Sequence, residues 1–437
     1  MKTRSIKGTP SGFRDLLPSE TLLKEYVVRK ISDVYKNYGF LPIETPIVEY
    51  LETLIDEVTD FNLFIVEPTK TRKTGAANSL ALRFDQTVPL ARFIAENQQI
   101  KKPFKRYVYG PVFRGERPQS GRYRQFDQFD ADTVGTSDIS ADIEIILMMR
   151  DVFYAIGLDN FVIKVNTRKL LNALPKIFDF PENKLKKVLI ALDKRDKIST
   201  IQLKELLINE ELSENSISML VEFGGIHGDP AEIMEQLYDI CKNVPEAQEG
   251  MNDLQTITDV LSSVSKTGNI IFDMSVIRGL SYYTGTIFET QLLDALEFGS
   301  VYSGGRYDNL VENFGVLQQP AVGASVGVDR LVSALVKIGF QPESKSASVL
   351  ILVNDPSNLV YAFLVAEKIR ATNRICEVYT GNKKRFGEQF TYADERGYLY
   401  ACIIGQIEKE TRTIKIKNLK TKKEDVYKYD SFDFKED

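Results

Sequence analysis

GPVFRGERPQSGRYRQFDQFDAD, residues 110–132, decides how this chain folds and where its chemistry lies. Strand-like runs at 107–115 and 125–133 flank a turn rich in Gly, Pro and Arg, which is the pattern of an antiparallel hairpin. Arg114, Arg117, Arg122 and Arg124 crowd the first part, and Gln125, Asp127, Gln128, Asp130 and Asp132 follow at once. Arginines answer phosphate charge, while alternating acids and amides hold a small polar cation or amine. Both sets in one hairpin point to a site for a nucleotide and an amino compound together. On this segment alone, a solvated charged hairpin is the alternative.

Working outward, residues 20–38 carry apolar positions at helical spacing, and Gly39 stops the pattern. FLPIETPIVEY then reads as an extended segment punctuated by Pro42 and Pro46. A further strand-like run covers 79–84, and 141–156 reads as a helix. Hairpin-like strands interleaved with helices predict an α+β domain with an antiparallel sheet rather than a doubly wound one.

The character changes at 166–245, where KLKKVLIALDKRDKISTIQLKELL is helical, rich in Lys, Glu and Leu, and without strand alternation. This reads as a helical insertion domain that divides the catalytic domain into 1–165 and 246–338. The second part is Gly-punctuated and β-rich, and AVGASVGVDRLVSALVKIG closes it as a strand running into a helix. FQPESKSAS looks like a linker. Beyond it, 346–437 alternates strands and helices, the pattern of a small α/β domain with a mostly parallel sheet.

Composition narrows the chemistry. At 437 residues, with 43% hydrophobic and 27% charged, the chain has ample core for two or three domains. Cys241, Cys376 and Cys402 have no metal-type spacing and point to a reducing compartment. No run reaches the roughly 18 apolar residues of a membrane helix, so no membrane association and a cytoplasmic location are expected. Net charge is −5, yet residues 101–124 hold eight Lys/Arg against the single Glu116. That combination argues against indiscriminate nucleic-acid coating and leaves room for a local basic face. The one histidine, His227, makes a Ser-His-Asp triad or a His-based metal centre an unlikely basis for the chemistry. No GxxxxGK[ST] loop is present to hold phosphate.

At this point the motifs carry a resemblance. GPVFRGERPQSGRYRQF resembles motif 2 of class II aminoacyl-tRNA synthetases, in the form typical of the histidyl-tRNA synthetase family. RGLSYYTGTIFE (278–289), GGRYDNL (304–310) and GASVGVDRL (323–331) resemble further signatures of that family, the last being its motif 3. LRFDQTVP (82–89) resembles its amino-acid-binding loop, and Pro46 sits where the motif 1 proline belongs. The resemblance implies ATP and Mg²⁺ as cofactors, histidine and tRNA(His) as partners, a homodimer and a C-terminal anticodon-binding domain. Arg114 would bridge the α-phosphate and the histidine carboxylate. Glu116 would hold the adenine end, Arg330 the γ-phosphate, and Arg278 would be a second catalytic cation. Asp85, Thr87 and Gln128 would take the α-ammonium; Asp132 would accept from the imidazole N–H and the Tyr283 hydroxyl would address the opposite nitrogen, with Tyr282 also histidine-binding; Gln119 and Arg122 would touch the tRNA acceptor end.

Departures mark a divergent branch. Asp85 and Asp132 stand where many members carry glutamate, Ser281 replaces an aspartate, and Asp127 stands where histidine is common. Two other readings share the resemblance: a non-catalytic regulatory subunit of histidine biosynthesis, and a tRNA-sensing module. The first would bind histidine without ATP turnover, and the second would bind tRNA without charging it.

Overall fold

The computed structural model describes residues 8–55, 62–67, 79–118, 121–277, 282–315, 317–342, 348–382 and 385–432. The chain divides into two units at Gln341/Pro342.

The first unit is organised by a nine-stranded sheet. In chain order its strands are β1 (Leu41–Pro42), β2 (Phe104–Phe113), β3 (Gln125–Val134), β4 (Phe161–Thr167), β5 (His227–Gly228), β6 (Ile270–Asp273), β7 (Thr286–Leu292), β8 (Ser300–Tyr307) and β9 (Ala321–Gly327). Their spatial order is β1-β2-β3-β9-β8-β7-β4-β6-β5. The pairs β1–β2 and β4–β6 are parallel and the rest antiparallel.

Alternation of side chains along β3 separates core from site. Phe129 and Ala131 point into the core, where the Phe129 ring meets Tyr35 edge-on at 5.0 Å. Tyr35 belongs to the helix Pro18–Asn37, which packs with Ser140–Ile156 and Val328–Lys337 against the sheet. Ile145, Ile146, Met148, Met149, Val152 and Phe153 seal that layer. Gln128, Asp130 and Asp132 take the opposite face of β3 and line a cavity.

Helices follow one another from Arg168 to Ser263, interrupted by the two residues of β5. Their buried side chains, among them Leu203, Leu220, Phe223, Leu237 and Leu254, are continuous with the core of the large sheet. The helical stretch and the sheet therefore form one compact unit. A smaller sheet of three short strands (Val48–Tyr50, Ile65–Val66 and Leu80–Leu82) lies between β1 and β2 in the chain.

The second unit has strands β10 (Val349–Val353), β11 (Cys376–Val378), β12 (Tyr400–Ile404), β13 (Thr413–Asn418) and β14 (Glu424–Lys428), in the order β11-β10-β12-β13-β14. Only β11-β10-β12 is parallel; β13 and β14 extend it as an antiparallel hairpin. The sheet is thus mixed rather than mostly parallel. In β13 the alternation is supplied by Ile414 and Ile416 between lysines, which makes a half-buried strand from a very polar segment. Val349 and Ile351 pack against the helix Leu359–Ala371, and Leu350 and Leu352 belong to the opposite core with Phe386, Phe390 and Ala393 of the second helix.

Candidate functional site

The cavity on the open face of the large sheet has a volume of about 740 Å³, a size that takes a nucleotide and a small amino compound. Its floor depends on glycine. A Cβ on Gly323 would sit 1.9 Å from Asp132 Oδ1, and one on Gly304 would sit 2.0 Å from the Gly323 carbonyl. The two Gly-rich motifs therefore let β8, β9 and the Asp132 side chain close up beneath the cavity.

Strand register sorts the charges. Gly323, Ser325 and Gly327 of β9 stand opposite Asp132, Asp130 and Gln128 of β3. Acids thus gather toward the Gly323 end, and Arg330 lies just beyond Gly327 at the other. Arg330, in the first turn of Val328–Lys337, donates from Nη1 to the Ser300 carbonyl at 2.7 Å, which holds its guanidinium at the cavity wall. Arg114 follows β2, donates Nε to the Phe84 carbonyl at 3.1 Å and lies 5.2 Å from the centroid of the Phe126 ring. Glu116 and Arg122 are exposed members of the same wall.

The hairpin is clamped to the motif 3 helix from below. Asp329 accepts the Asp127 backbone N–H at 2.6 Å, and Lys24 Nζ lies 2.8 Å from Asp127 Oδ2 and 3.3 Å from Asp329 Oδ2. Arg14 stacks on Tyr123 at 4.0 Å and reaches Asp329 at 3.4 Å. This network joins the strand that carries Gln128 to the helix that carries Arg330.

At the acid end, Asp85 accepts the Val88 N–H at 3.2 Å, at the start of the helix Thr87–Glu96. Burial pushes its carboxyl up to about 6, against the opposing pull of backbone hydrogen bonds, Arg114 and Arg106. Asp130 is pushed up to about 7, by burial first and Asp132 in addition, with Arg106 opposing. Burial also raises Asp132. Asp132 is held on both oxygens: Tyr307 donates to Oδ1 at 2.5 Å, and the fully buried Arg106 lies 2.7 Å from Oδ2. Gln128 Oε1 is buried without a hydrogen-bond partner, while the Ser325 hydroxyl on the facing strand favours the ionised form of Asp130. The amide oxygen is an acceptor only, so this part of the floor has room for a donor.

The structure brings Asp85, Thr87, Arg114, Glu116, Arg122, Gln128, Asp132, Tyr282, Tyr283 and Arg330 around this one cavity. Gln119 and Arg278 lie outside the described residues, as does Ser281. Tyr282 and Tyr283 stand at its edge with ring centroids 4.3 Å apart. Asp130, Ser325, Arg168 and Asn172 line it too; of these only Asp130 stood among the polar residues of the hairpin, without a role of its own. Period-two alternation places it between Gln128 and Asp132 on one face. Arg306 of GGRYDNL has another part to play. It is buried and binds the Asp142 carboxylate together with the carbonyls of Thr136 and Asp138, anchoring β8 to the start of Ser140–Ile156. His227 is exposed, with Nδ1 2.9 Å from the Gly225 carbonyl, and is not among the residues lining the cavity.

The sequence model of the family described as Histidyl-tRNA synthetase matches residues 12–331. The chain belongs to the histidyl-tRNA synthetase family. A second model, Anticodon binding domain, matches 347–433, which covers the mixed sheet of the C-terminal unit. Among similar proteins, a histidine–tRNA ligase of Helicobacter hepaticus is 38% identical over 94% of this chain and 94% of its own length. That of Wolinella succinogenes is 38% identical over 94% of this chain and 93% of its own. The crystal structure of histidyl-tRNA synthetase from a Nostoc species superposes with a TM-score of 0.88 at 31% identity, covering 98% of each chain. The architecture is accordingly that of a class II synthetase: an antiparallel-rich catalytic sheet followed by an anticodon-binding domain.

Proposed function

We infer that this chain is a histidine–tRNA ligase. It joins histidine and ATP to give histidyl-adenylate and pyrophosphate, then passes the histidyl group to the 3′ end of tRNA(His). Beyond the family itself, the observation that carries this reading is the polarity of the cavity, with arginines at one end and buried acids beside an unmet amide oxygen at the other. In the first step a carboxylate oxygen attacks the α-phosphorus and pyrophosphate leaves. Two anions must meet, so fixed cations and positioning supply much of the catalysis, and no side-chain base is needed.

Residue roles follow from that polarity and from the family motifs. Arg114 bridges the α-phosphate and the substrate carboxylate, with Arg278 as the second cation. Glu116 holds the adenine end and Arg330 the γ-phosphate. Asp85, Thr87 and Gln128 receive the α-ammonium, while Asp132, Tyr282 and Tyr283 shape the ring end. Gln119 and Arg122 meet the acceptor end of the tRNA. Mg²⁺ accompanies ATP. Among the described residues no three His, Cys, Asp or Glu side chains gather as a metal cage. That donor set fits an ion held chiefly by phosphate oxygens, with Glu116 the carboxylate on the arginine-bearing wall. When bound, the ion supplies positive charge at the phosphoryl oxygens.

A homodimer is proposed on the motif 1 resemblance around Pro46. Exposed apolar side chains nearby, Leu41, Ile47 and Tyr50, support it, and sedimentation at equilibrium tests it. Three buried free cysteines and a tRNA substrate support a cytoplasmic setting. Among the described residues no helix is long and apolar enough to cross a membrane. Amino-acid-dependent ATP–pyrophosphate exchange, run with all twenty amino acids, tests the central reading. Exchange with histidine alone is expected; exchange with another amino acid, or none with any, would overturn it.

A further inference from the structure

We propose that Lys24 is a positioning residue for ATP: it holds two aspartates together and thereby fixes the start of the helix that presents Arg330 to the γ-phosphate. This rests on the histidine–tRNA ligase reading and adds to it a residue that is not among those lining the cavity.

Three observations carry it. First, one ammonium serves two acids. Lys24, on the helix Pro18–Asn37, places Nζ 2.8 Å from Asp127 Oδ2 and 3.3 Å from each carboxylate oxygen of Asp329. The three side chains are 14%, 17% and 7% exposed, so water and salt screen their charges little. Without the ammonium, two carboxylates that reach the same nitrogen are left side by side in a poorly hydrated place. Their other contacts are weak compensation: the Tyr109 hydroxyl donates to Asp127 at 2.6 Å, and Arg14 stands 3.4 Å from Asp329. Like charges so placed move apart or draw in water.

Second, the two acids fasten together the parts of the arginine-bearing wall. Asp127 lies on β3 between Phe126 and Gln128, which line the cavity, and Asp329 immediately precedes Arg330. Asp329 accepts the Asp127 backbone N–H at 2.6 Å, so the first turn of Val328–Lys337 is tied to the strand. Arg330 is thus held at its tip by the Ser300 carbonyl, at 2.7 Å, and at its root by this tie. A shift of about 1 Å at the root carries to the guanidinium, and misplacement on that scale can cost about a hundredfold in rate. Third, Asp127 and Asp329, like Lys24, are not among the residues lining the cavity, so their influence on ATP passes through Arg330 and the strand. The acid at 127, where histidine is common in the family, brings the negative charge that Lys24 offsets.

The test uses the full chain in ATP–pyrophosphate exchange, with ATP and histidine varied in turn. AMP serves as a competitor that keeps the adenosine and α-phosphate and lacks the γ-phosphate. Lys24→Met keeps the apolar stem and removes the charge. It should raise the ATP KM about 10-fold and leave the histidine KM and the inhibition by AMP unchanged. Lys24→Arg should restore the ATP KM. Adding Asp127→Asn to Lys24→Met should restore it too, because a single acid needs no cation to hold it beside another. Thermal unfolding checks that each variant folds, and Lys24→Gln carries the same test where Lys24→Met does not. An unchanged ATP KM in the folded, uncharged variant would overturn the proposal. So would equal losses of ATP, histidine and AMP, the mark of a general loosening, or a failure of both restoring changes. Wild-type protein without histidine-dependent exchange would instead remove the ligase reading, and calorimetric titration of wild type and Lys24→Met with ATP and with AMP would then judge Lys24 by the same difference.

Discussion

Arg306 and Arg106 are both buried arginines of the same sheet, each facing an aspartate, and their surroundings differ in one respect. Arg306 is closed off: it binds Asp142 and the carbonyls of Thr136 and Asp138 at 2.9 and 3.2 Å. Arg106 binds Asp132 and the Gln86 carbonyl, but its Nε and Nη1 have no partner, and the neighbouring Asp130 faces the Ser325 hydroxyl on β9. Every buried charge must be satisfied for a pair to be structural alone. The first pair holds β8 to a helix. The second leaves two guanidinium donors and a carboxylate oxygen beneath a cavity without the full set of partners that the first pair enjoys.

The comparison can be broken by experiment. The largest effect belongs to the two arginines proposed as catalytic cations. Arg114→Ala or Arg278→Ala should slow single-turnover adenylate formation about 10²- to 10³-fold with little change in unfolding temperature. Normal adenylation by either would remove that residue from the site. Asp142→Ala should cost about 3–5 kcal/mol in denaturant unfolding, because the buried Arg306 loses its bidentate partner and keeps only the more distant Asp308, at 3.5 Å, and two carbonyls. Its residual activity should track the folded fraction. Gly323→Ala should cost about 1–3 kcal/mol and raise the histidine KM, since a methyl group there collides with Asp132.

A subtler effect follows from Asp130. Its carboxyl is raised above the ordinary aspartate range, so the stability it contributes is present below about pH 4 and is lost as pH rises through about 7. Wild-type protein without substrate should therefore lose unfolding temperature between pH 4 and pH 8 more than Asp130→Asn does. Equal losses would show that the burial of Asp130 carries no net cost. The smallest effect is expected in the other unit. Glu424 sits between Lys415 and Lys417 on an exposed hairpin, each at 2.8 Å, and Glu424→Gln should change stability by less than about 1 kcal/mol.

Much of this was legible in the residues. The acids and amides from Gln125 to Asp132 marked the strand that lines the cavity, and period-two alternation accounts for why Gln128, Asp130 and Asp132 face it. What stayed hidden depends on register between distant segments. That Arg106 neutralises Asp132, or that Asp329 receives the Asp127 N–H, needs the pairing of β2, β3 and β9, which no local pattern states. Arg306 shows the same limit, since nothing local to GGRYDNL points to Asp142, 164 positions away. The β13–β14 hairpin escaped notice for a different reason. Its strands are Lys- and Glu-rich, and their contribution to the core is chiefly Ile414 and Ile416, with Tyr427 packed beside them.

Backbone, not side chain, forms the wall of the cavity at Gly304 and Gly323, where even a methyl group has no room. Any shift in which amino acid is accepted must therefore be made from the walls that carry side chains, Asp85 and Thr87 beside one helix and Gln128 and Asp132 on β3 among them. Acids on those walls can drift in length, as Asp85 and Asp132 have done, while the outline that the glycine wall offers to a planar ring stays the same.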